Sequence, residues 1–176
     1  ARPRGGGFVP LTSEGGHVTM PAFTDREAAV INTLRSEFEG HHVSAERLIS
    51  GPGLVHLYRA LATIDGRPAD PAITPADCTR RALDGSCPIA GEALAMFCEM
   101  LGTIAANLAL TLDARGGIYI AGGIVPKLGE AFDQSGFRAR FEDKGRFNKY
   151  LRPIPTSVIT RPEPAFAGLA ALVATH

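Results

Sequence analysis

Residues 117–126 read Gly-Ile-Tyr-Ile-Ala-Gly-Gly-Ile-Val-Pro and give the clearest indication of the fold in this sequence. The apolar run 118–121 is bounded by glycines, which predicts a short, fully buried β-strand. Gly122 and Gly123 then predict a turn, and Pro126 stands where a helix would begin. Such a strand, turn and helix N-terminus can hold a phosphate or the edge of a nucleotide. A simple packing turn fits the same residues, and the pattern is neither a P-loop nor a dinucleotide-binding fingerprint.

Regular elements are predicted on both sides of this strand. Apolar residues recur every three or four positions across 88–112, which predicts the longest helix, with one continuous buried stripe. Residues 158–159 predict a last strand and 165–174 a last helix, while the short apolar runs 8–11 and 18–20 predict two early strands around a turn. This alternation predicts the α/β class, with helices packed on a mixed sheet.

Polar residues mark where three of the helices begin. Thr24 and Glu27 have capping-box spacing, and the helix that they start is expected to stop near Gly40. Ser44 has the character of an N-cap of a short helix, and Thr74 that of an N-cap followed by proline.

Composition excludes several classes of function. Lys plus Arg and Asp plus Glu number 18 each in 176 residues, so no overall charge attracts a nucleic acid or a membrane surface. Three cysteines without a C-x-x-C pair argue against a disulfide framework or a structural zinc site, and favour a reducing cytoplasm. We expect no apolar run as long as the ~20 residues that a membrane-spanning helix needs. Because the chain begins at Ala1, we expect a piece of a longer gene product.

Residues 14–17, Glu-Gly-Gly-His, are the first candidate for chemistry. Glu14 can accept two hydrogen bonds from adjacent hydroxyls, His17 can donate or accept one, and the glycines leave room for a ligand, which suits a sugar. The alternative is a glycine turn with a solvated glutamate. A metal site that joins His17 to His41 or His42 lacks a recognisable ligand pattern.

The segment 136–152 is the second candidate. It holds six Lys or Arg against two acidic residues, with four aromatic residues between them, and could stack bases while pairing with phosphates. We favour an amphipathic segment with its aromatic side chains packed inward, because the rest of the chain offers no matching basic surface. No nucleophile elbow or Ser-His-Asp order supports a hydrolase.

Four stretches together resemble the bacterial glucokinase family, in the same order and with similar separations. They are Ser-Glu-Gly-Gly-His at 13–17, the run from His to Ala at 42–60, Ala-Gly-Gly-Ile-Val-Pro at 121–126 and the segment at 135–147. The resemblance covers essentially the whole chain, and the stretches at 42–60 and 135–147 are specific to glucokinases among sugar kinases.

The resemblance implies the actin-like ATPase (ribonuclease H-like) fold, with residues 1–176 as the C-terminal, larger domain. The family's N-terminal Asp-x-Gly-Gly-Thr phosphate loop, its Asn-Asp pair with the general base and its Gly-Thr-Gly-Leu-Gly loop are not in this sequence. No catalytic residue is therefore assigned within the chain, and the chain alone is expected to be inactive.

The resemblance also implies ligands and partners. Glu14, His17 and Glu46 correspond to sugar ligands, and Gly122 and Gly123 to the adenosine motif. The implied reaction transfers the γ-phosphoryl group of ATP to the 6-hydroxyl of glucose, with Mg²⁺ on the phosphates rather than in an all-protein site. The implied partners are glucose, ATP and the chain's own N-terminal domain, with a homodimer allowed, no nucleic acid or membrane, and a cytoplasmic location.

Two alternatives remain open from the sequence. The first is a non-catalytic module that binds a sugar or a nucleotide. The second is a nucleic-acid-binding domain that uses residues 136–152.

Overall fold

The computed structural model describes residues 2–4, 7–9 and 12–174, and most of these residues are helical. The strands are β1 (Arg2–Arg4), β2 (Gly7–Val9), β3 (Ile118–Ile120) and β4 (Thr156–Val158). The α-helices are α1 (Asp25–Arg35), α2 (Ala45–Leu48), α3 (Gly51–Ile64), α4 (Pro75–Leu83), α5 (Pro88–Leu112), α6 (Val125–Leu128), α7 (Glu130–Asp133), α8 (Phe137–Glu142), α9 (Asn148–Leu151) and α10 (Pro164–Ala174).

Helix α5 forms the centre of the core. It packs against α3, α4 and α8, and its bounds are those predicted from the sequence. The predicted buried stripe is confirmed for most of the helix, through Leu94, Phe97 and Ile104. It fails at the C-terminal end, where Leu108 is 36% and Leu112 60% exposed. In the last turn the buried side chain is Ala109 instead, so the buried face no longer follows the predicted positions.

Helix α5 is also long and apolar enough, with a mean hydropathy of 1.6, to pass as a membrane span. The expectation that no such run exists is therefore wrong by length and composition. However, 61% of its apolar window is buried inside the fold. Glu92 pairs with Arg26, and Glu99 with Arg140, so both acidic side chains of the helix have partners within the fold. A core position accounts for its composition.

The strands form two separate pairs within the described residues, which corrects the expectation of one mixed sheet. Strands β1 and β2 are antiparallel, with Arg2 opposite Val9, whereas β3 and β4 are parallel, with Ile118 opposite Thr156. The predicted strand at 18–20 is reduced to a single bridge between Thr19 and Ser44. Residues 10 and 11 of the other predicted strand lie outside the described residues.

Strand β3 is not fully buried, contrary to prediction. Ile120 is 7% exposed, but Tyr119 is 69% exposed. Successive side chains of a strand point to opposite faces, and only the face that carries Ile120 meets the core.

The helix starts behave as predicted. The Thr24 side chain accepts from the backbone of Glu27, and the Glu27 carboxylate accepts in return from the backbone of Thr24, which completes the capping box. Ser44 and Thr74 cap α2 and α4. Helix α1 ends at Arg35 rather than near Gly40, and a separate 3₁₀ turn at Glu39–His41 contains Gly40 with a φ of 70°.

Several side chains of the segment 136–152 are buried or bonded within the fold. Phe137 and Phe141 are buried. Arg140 bonds Glu27 and Glu99, while Arg138 bonds Glu142 and the carbonyls of residues 152 and 154. The prediction of inward-packed aromatic side chains and solvated charges holds only in part, because Phe147 is 44% exposed and Arg140 is buried. The two arginines and two phenylalanines named above are engaged within the fold and are not free to bind a nucleic acid.

Candidate functional site

The three predicted sugar ligands lie together. His17 ends a 3₁₀ turn at Gly15–His17, and its Nε2 is 3.8 Å from Oε2 of Glu14 and 3.5 Å from Oε2 of Glu46. Glu46 stands in the first turn of α2. The side chains are 63%, 87% and 61% exposed for His17, Glu14 and Glu46, so all three can reach a ligand from solvent.

Backbone hydrogen bonds bring these two distant stretches together. Met20 donates to the carbonyl of Val43 at 2.9 Å, and Ala45 donates to the carbonyl of Val18 at 2.9 Å. The chain that follows His17 is thereby paired with the chain that enters α2. This pairing, which the sequence did not reveal, is what places His17 beside Glu46.

A cavity of about 340 Å³ opens beside this cluster and is called the sugar cavity below. Eight residues line it, and the list includes His17 and Glu46 but not Glu14: His17, His42, Ser44, Glu46, Arg47, Ser50, Pro52 and His56. The cavity wall is therefore rich in groups that can donate hydrogen bonds.

Arg47 and His56 belong to this wall and were not predicted from the sequence. The Arg47 guanidinium lies 4.3 Å from the centre of the Phe38 ring, and the His56 ring meets the same phenylalanine edge-on at 5.1 Å. Burial lowers the pKa of His56, and the Arg59 and Arg47 cations also lower it, against the opposing effect of Glu37. The only signal in the sequence was their position within the stretch 42–60.

His41 and His42, the two histidines considered as metal ligands with His17, are bonded to other groups. The Nδ1 atom of His41 is 2.8 Å from the carbonyl of Arg35, and Nε2 of His42 is 3.1 Å from the hydroxyl of Thr19. Across residues 12–174, no three His, Cys, Asp or Glu side chains come together as metal ligands.

The predicted turn at Gly122–Gly123 connects β3 to α6. Gly122 has a φ of 124°, a conformation that favours glycine. A Cβ at Gly123 would meet no atom within 4 Å, so this residue faces open space. Helix α6 has only four residues, so the predicted helix start is confirmed but the helix dipole is that of a single turn.

Gly123 lies between two further cavities. The first, of about 750 Å³, lies between this turn and α4 and is called the α4 cavity below. The second, of about 220 Å³, is lined by residues 120–125 together with residues 49–51, Phe97 and Leu101, and is called the bridging cavity. Gly123 and Ile124 line both of them, and Ser50 lines both the bridging cavity and the sugar cavity. The three cavities therefore form a row.

A carboxylate–imidazole cluster lies at one end of a row of cavities, and an open glycine turn lies between the other two cavities. Together they define an α/β domain suited to polar small molecules. Its relatives narrow that class. The family model described as glucokinase matches residues 2–176, and the chain belongs to the glucokinase family.

Curated glucokinases are similar over almost the whole chain. The glucokinase of Paramagnetospirillum magneticum is 55% identical over 96% of this chain, and that of Nitrobacter hamburgensis is 53% identical over 97%. These alignments cover 51% and 52% of the two relatives. The chain thus spans about half the length of the curated relatives it matches.

Solved structures agree with the fold. The glucokinase of an Antarctic psychrotroph matches with a TM-score of 0.86 and 37% identity, over 94% of this chain and 51% of that one. The glucokinase of Balamuthia mandrillaris, solved in complex with glucose, matches with a TM-score of 0.78 and 22% identity, over 90% of this chain and 45% of that one. The second likeness concerns the fold alone.

Proposed function

We propose that this chain is the sugar- and adenosine-binding part of a glucokinase that transfers the γ-phosphoryl group of ATP to the 6-hydroxyl of glucose. Glu14, His17 and Glu46 hold the sugar, and the turn at Gly122–Gly123 holds the adenosine. The fold is that of the C-terminal, larger domain of an actin-like ATPase. Family membership and the coverage of half of each curated relative support this division.

The observation that carries the proposal is the meeting of His17 with two carboxylates at the sugar cavity. A hexose presents adjacent hydroxyls, each of which can donate one hydrogen bond to a carboxylate oxygen and accept another. Glu14 and Glu46 supply acceptor oxygens near the same ring nitrogen, Nε2 of His17, and the imidazole can itself donate or accept. Hydrogen bonds to charged groups are stronger than neutral ones, so this set can hold a neutral, polyhydroxylated ligand.

The row of cavities gives the phosphates a route. A nucleotide whose adenosine lies against Gly123 can extend through the bridging cavity, past Ser50, and reach a sugar held at Glu46. Phosphoryl transfer depends mainly on positioning and electrostatic stabilisation, so a route that joins the two substrates matters more than any one reactive side chain.

Mg²⁺ supplies neutralisation of the phosphate charge in such a reaction. Mg²⁺ keeps several waters and binds through substrate phosphates together with one or two carboxylates. We propose that the ion is held on the phosphates of the nucleotide rather than in a site built from protein side chains alone. The side chains of this chain then act by binding and orienting the two substrates.

We assign the general base and the phosphate loops to an N-terminal domain that precedes this chain. Helix α10 supports the existence of a covering partner. Its span Pro164–Ala174 contains no charged residue, yet Phe166, Leu169 and Val173 are 68%, 57% and 77% exposed. An apolar helix in this position is expected to be covered in the complete protein. A cytoplasmic location and a homodimer remain proposals.

The test compares the complete protein with its Glu14→Gln and Glu46→Gln variants. Each change keeps the shape of the side chain but turns one acceptor into a donor. We expect each to cost about 1–3 kcal/mol of glucose binding, or about 5- to 150-fold in affinity. Glu130→Gln, an exposed glutamate that lines none of the three cavities, is the matched control.

Steady-state kinetics with varied glucose and saturating ATP gives the readout. A loss in kcat/KM for glucose in both site variants, with the control unchanged, supports the proposal. An unaltered glucose KM and kcat in the site variants would contradict it. The non-catalytic alternative predicts glucose binding without turnover in the unmodified complete protein.

A further inference from the structure

Lys127 is an uncommitted cation in the wall of the α4 cavity. It stands in α6, four residues after Gly123, and its side chain is exposed. Its ammonium makes no hydrogen bond or ion pair with any residue in the described part of the chain. An exposed lysine without a partner is also typical of a solvated surface. What distinguishes Lys127 is that it lines the α4 cavity.

The other cation of the cavity wall is already paired. Arg80 lies in α4, with its guanidinium 3.4 Å from Asp77 and 3.4 Å from Asp84. Its positive charge is therefore matched within α4 itself. Lys127, on the opposite wall, is the cation whose donors remain available to a ligand.

The row of cavities gives the two ends of a bound nucleotide different surroundings. The bridging cavity leads from Gly123 to Ser50 and hence to the sugar cavity. Phosphates that reach the sugar must run in that direction. Lys127 lines the α4 cavity but not the bridging cavity, and the α4 cavity shares no lining residue with the sugar cavity. Lys127 therefore belongs to the end of the row that is farther from the sugar.

The rest of the α4 cavity suits a flat ring. Pro75, Leu83 and Ile124 supply apolar surface, and a few polar groups lie among them. Ligand pockets of this kind hold a ring by apolar contact and fix its orientation with a small number of polar groups. The nucleoside, rather than the phosphate chain, therefore has the better fit to this end of the row.

We propose that Lys127 is a nucleoside-recognition residue, whose ammonium donates a hydrogen bond to an acceptor atom on the base or the ribose. The inference rests on the proposed function, because it takes the direction of the nucleotide from the sugar site. It deepens that function by assigning a specificity-determining side chain to the adenosine end.

The test measures the binding of adenosine and of ATP to the complete protein and to its Lys127→Met variant by calorimetry. A contact to the nucleoside is lost equally from both ligands, so we expect both affinities to fall by a similar factor, about tenfold. Glucose affinity should stay unchanged, and Lys127→Arg should retain most of the binding. Lys149→Met, an exposed lysine that lines none of the three cavities, is the control.

Two results would overturn the inference. A loss for ATP with none for adenosine would place the ammonium on the phosphates, and no loss for either would mean that Lys127 is only solvated. The Gly123→Val variant separates this failure from that of the proposed function. If Gly123→Val weakens ATP binding while Lys127→Met does not, only the role of Lys127 is wrong. If neither variant weakens ATP binding, the nucleotide site itself is wrong.

Discussion

Arg140 joins three helices that are far apart in the sequence. Its guanidinium is 2.7 Å from Oε1 of Glu27 in α1 and 2.9 Å from Oε2 of Glu99 in α5, and it lies 4.2 Å from the centre of the Phe23 ring. Glu27 is 1% and Arg140 8% exposed. Because Glu27 also closes the capping box of α1, one buried carboxylate ties the start of that helix to α8.

Removing this cation leaves Glu27 buried without its charged partner. We expect Arg140→Met to lower the free energy of unfolding by about 3 kcal/mol. Removing one partner of a buried ion pair is strongly destabilising because the other charge stays buried without compensation. Urea denaturation measures the change. Arg146 is exposed and forms no ion pair with any residue that the structure describes. Arg146→Met should therefore change the free energy of unfolding by no more than about 0.5 kcal/mol.

A double variant sharpens this prediction. Glu27→Gln combined with Arg140→Met removes both charges and should cost less than the sum of the two single changes. Additive losses, or equal stability of Arg140→Met and Arg146→Met, would show that the buried pair does not hold these helices together.

Helices α5 and α8 pack closely at Gly102. A Cβ at this position would lie too close to the carbonyl oxygen of Phe137, a backbone atom that can shift only if α8 shifts with it. Gly91 is in the same helix, and a Cβ there would meet nothing within 4 Å. The two glycines therefore form a matched pair, one at a close helix contact and one in open space.

Replacing each glycine by alanine should change stability in opposite directions. Gly102→Ala forces α8 away from α5 and should cost about 1–3 kcal/mol, as overpacking does. Gly91→Ala improves helix propensity without a clash and should gain up to about 1 kcal/mol. Thermal unfolding of the two variants is the measurement, and a destabilised Gly91→Ala beside a neutral Gly102→Ala would refute this account of the contact.

Local signals explain which elements the sequence could predict. Thr24, Ser44 and Thr74 cap their helices through residues three positions away, so a short window contains the whole interaction. The exposure of Tyr119 and the early end of the buried stripe in α5 depend on which elements pack nearby. A single sequence carries no local record of that packing.

The residues of the candidate site also fall into two groups, those that local sequence could indicate and those that only distant contacts reveal. The glycines and carboxylates at 14–17, 46 and 122–123 could be proposed from residue type and resemblance. The pairing of residues 18–20 with 43–45 and the row of three cavities arise from distant contacts, as do the places of Arg47, His56 and Lys127. No local pattern in the sequence distinguishes Lys127 from the other exposed lysines.

At the scale of the whole molecule, the exposed apolar surfaces and the proposed sites both agree with a second domain in the complete protein. Leu112 and the side chains of α10 described above remain exposed, and the chain spans about half the length of its curated relatives. The sugar cavity and the α4 cavity are open as well. We expect a second domain to cover exposed apolar surface, and closure of the sites by that domain would exclude water from them.

We propose that this chain binds both substrates but does not complete the reaction alone. The most direct test is ATP-dependent formation of glucose 6-phosphate by the 176-residue chain, beside the complete protein under the same conditions. The chain is predicted to show no turnover, because removing even one electrostatic contact of this type costs about 10²–10³ in rate and several are assigned to the other domain. The complete protein should turn over at about 1–100 per second. A comparable rate from the chain alone would place the catalytic base within these residues and contradict the account.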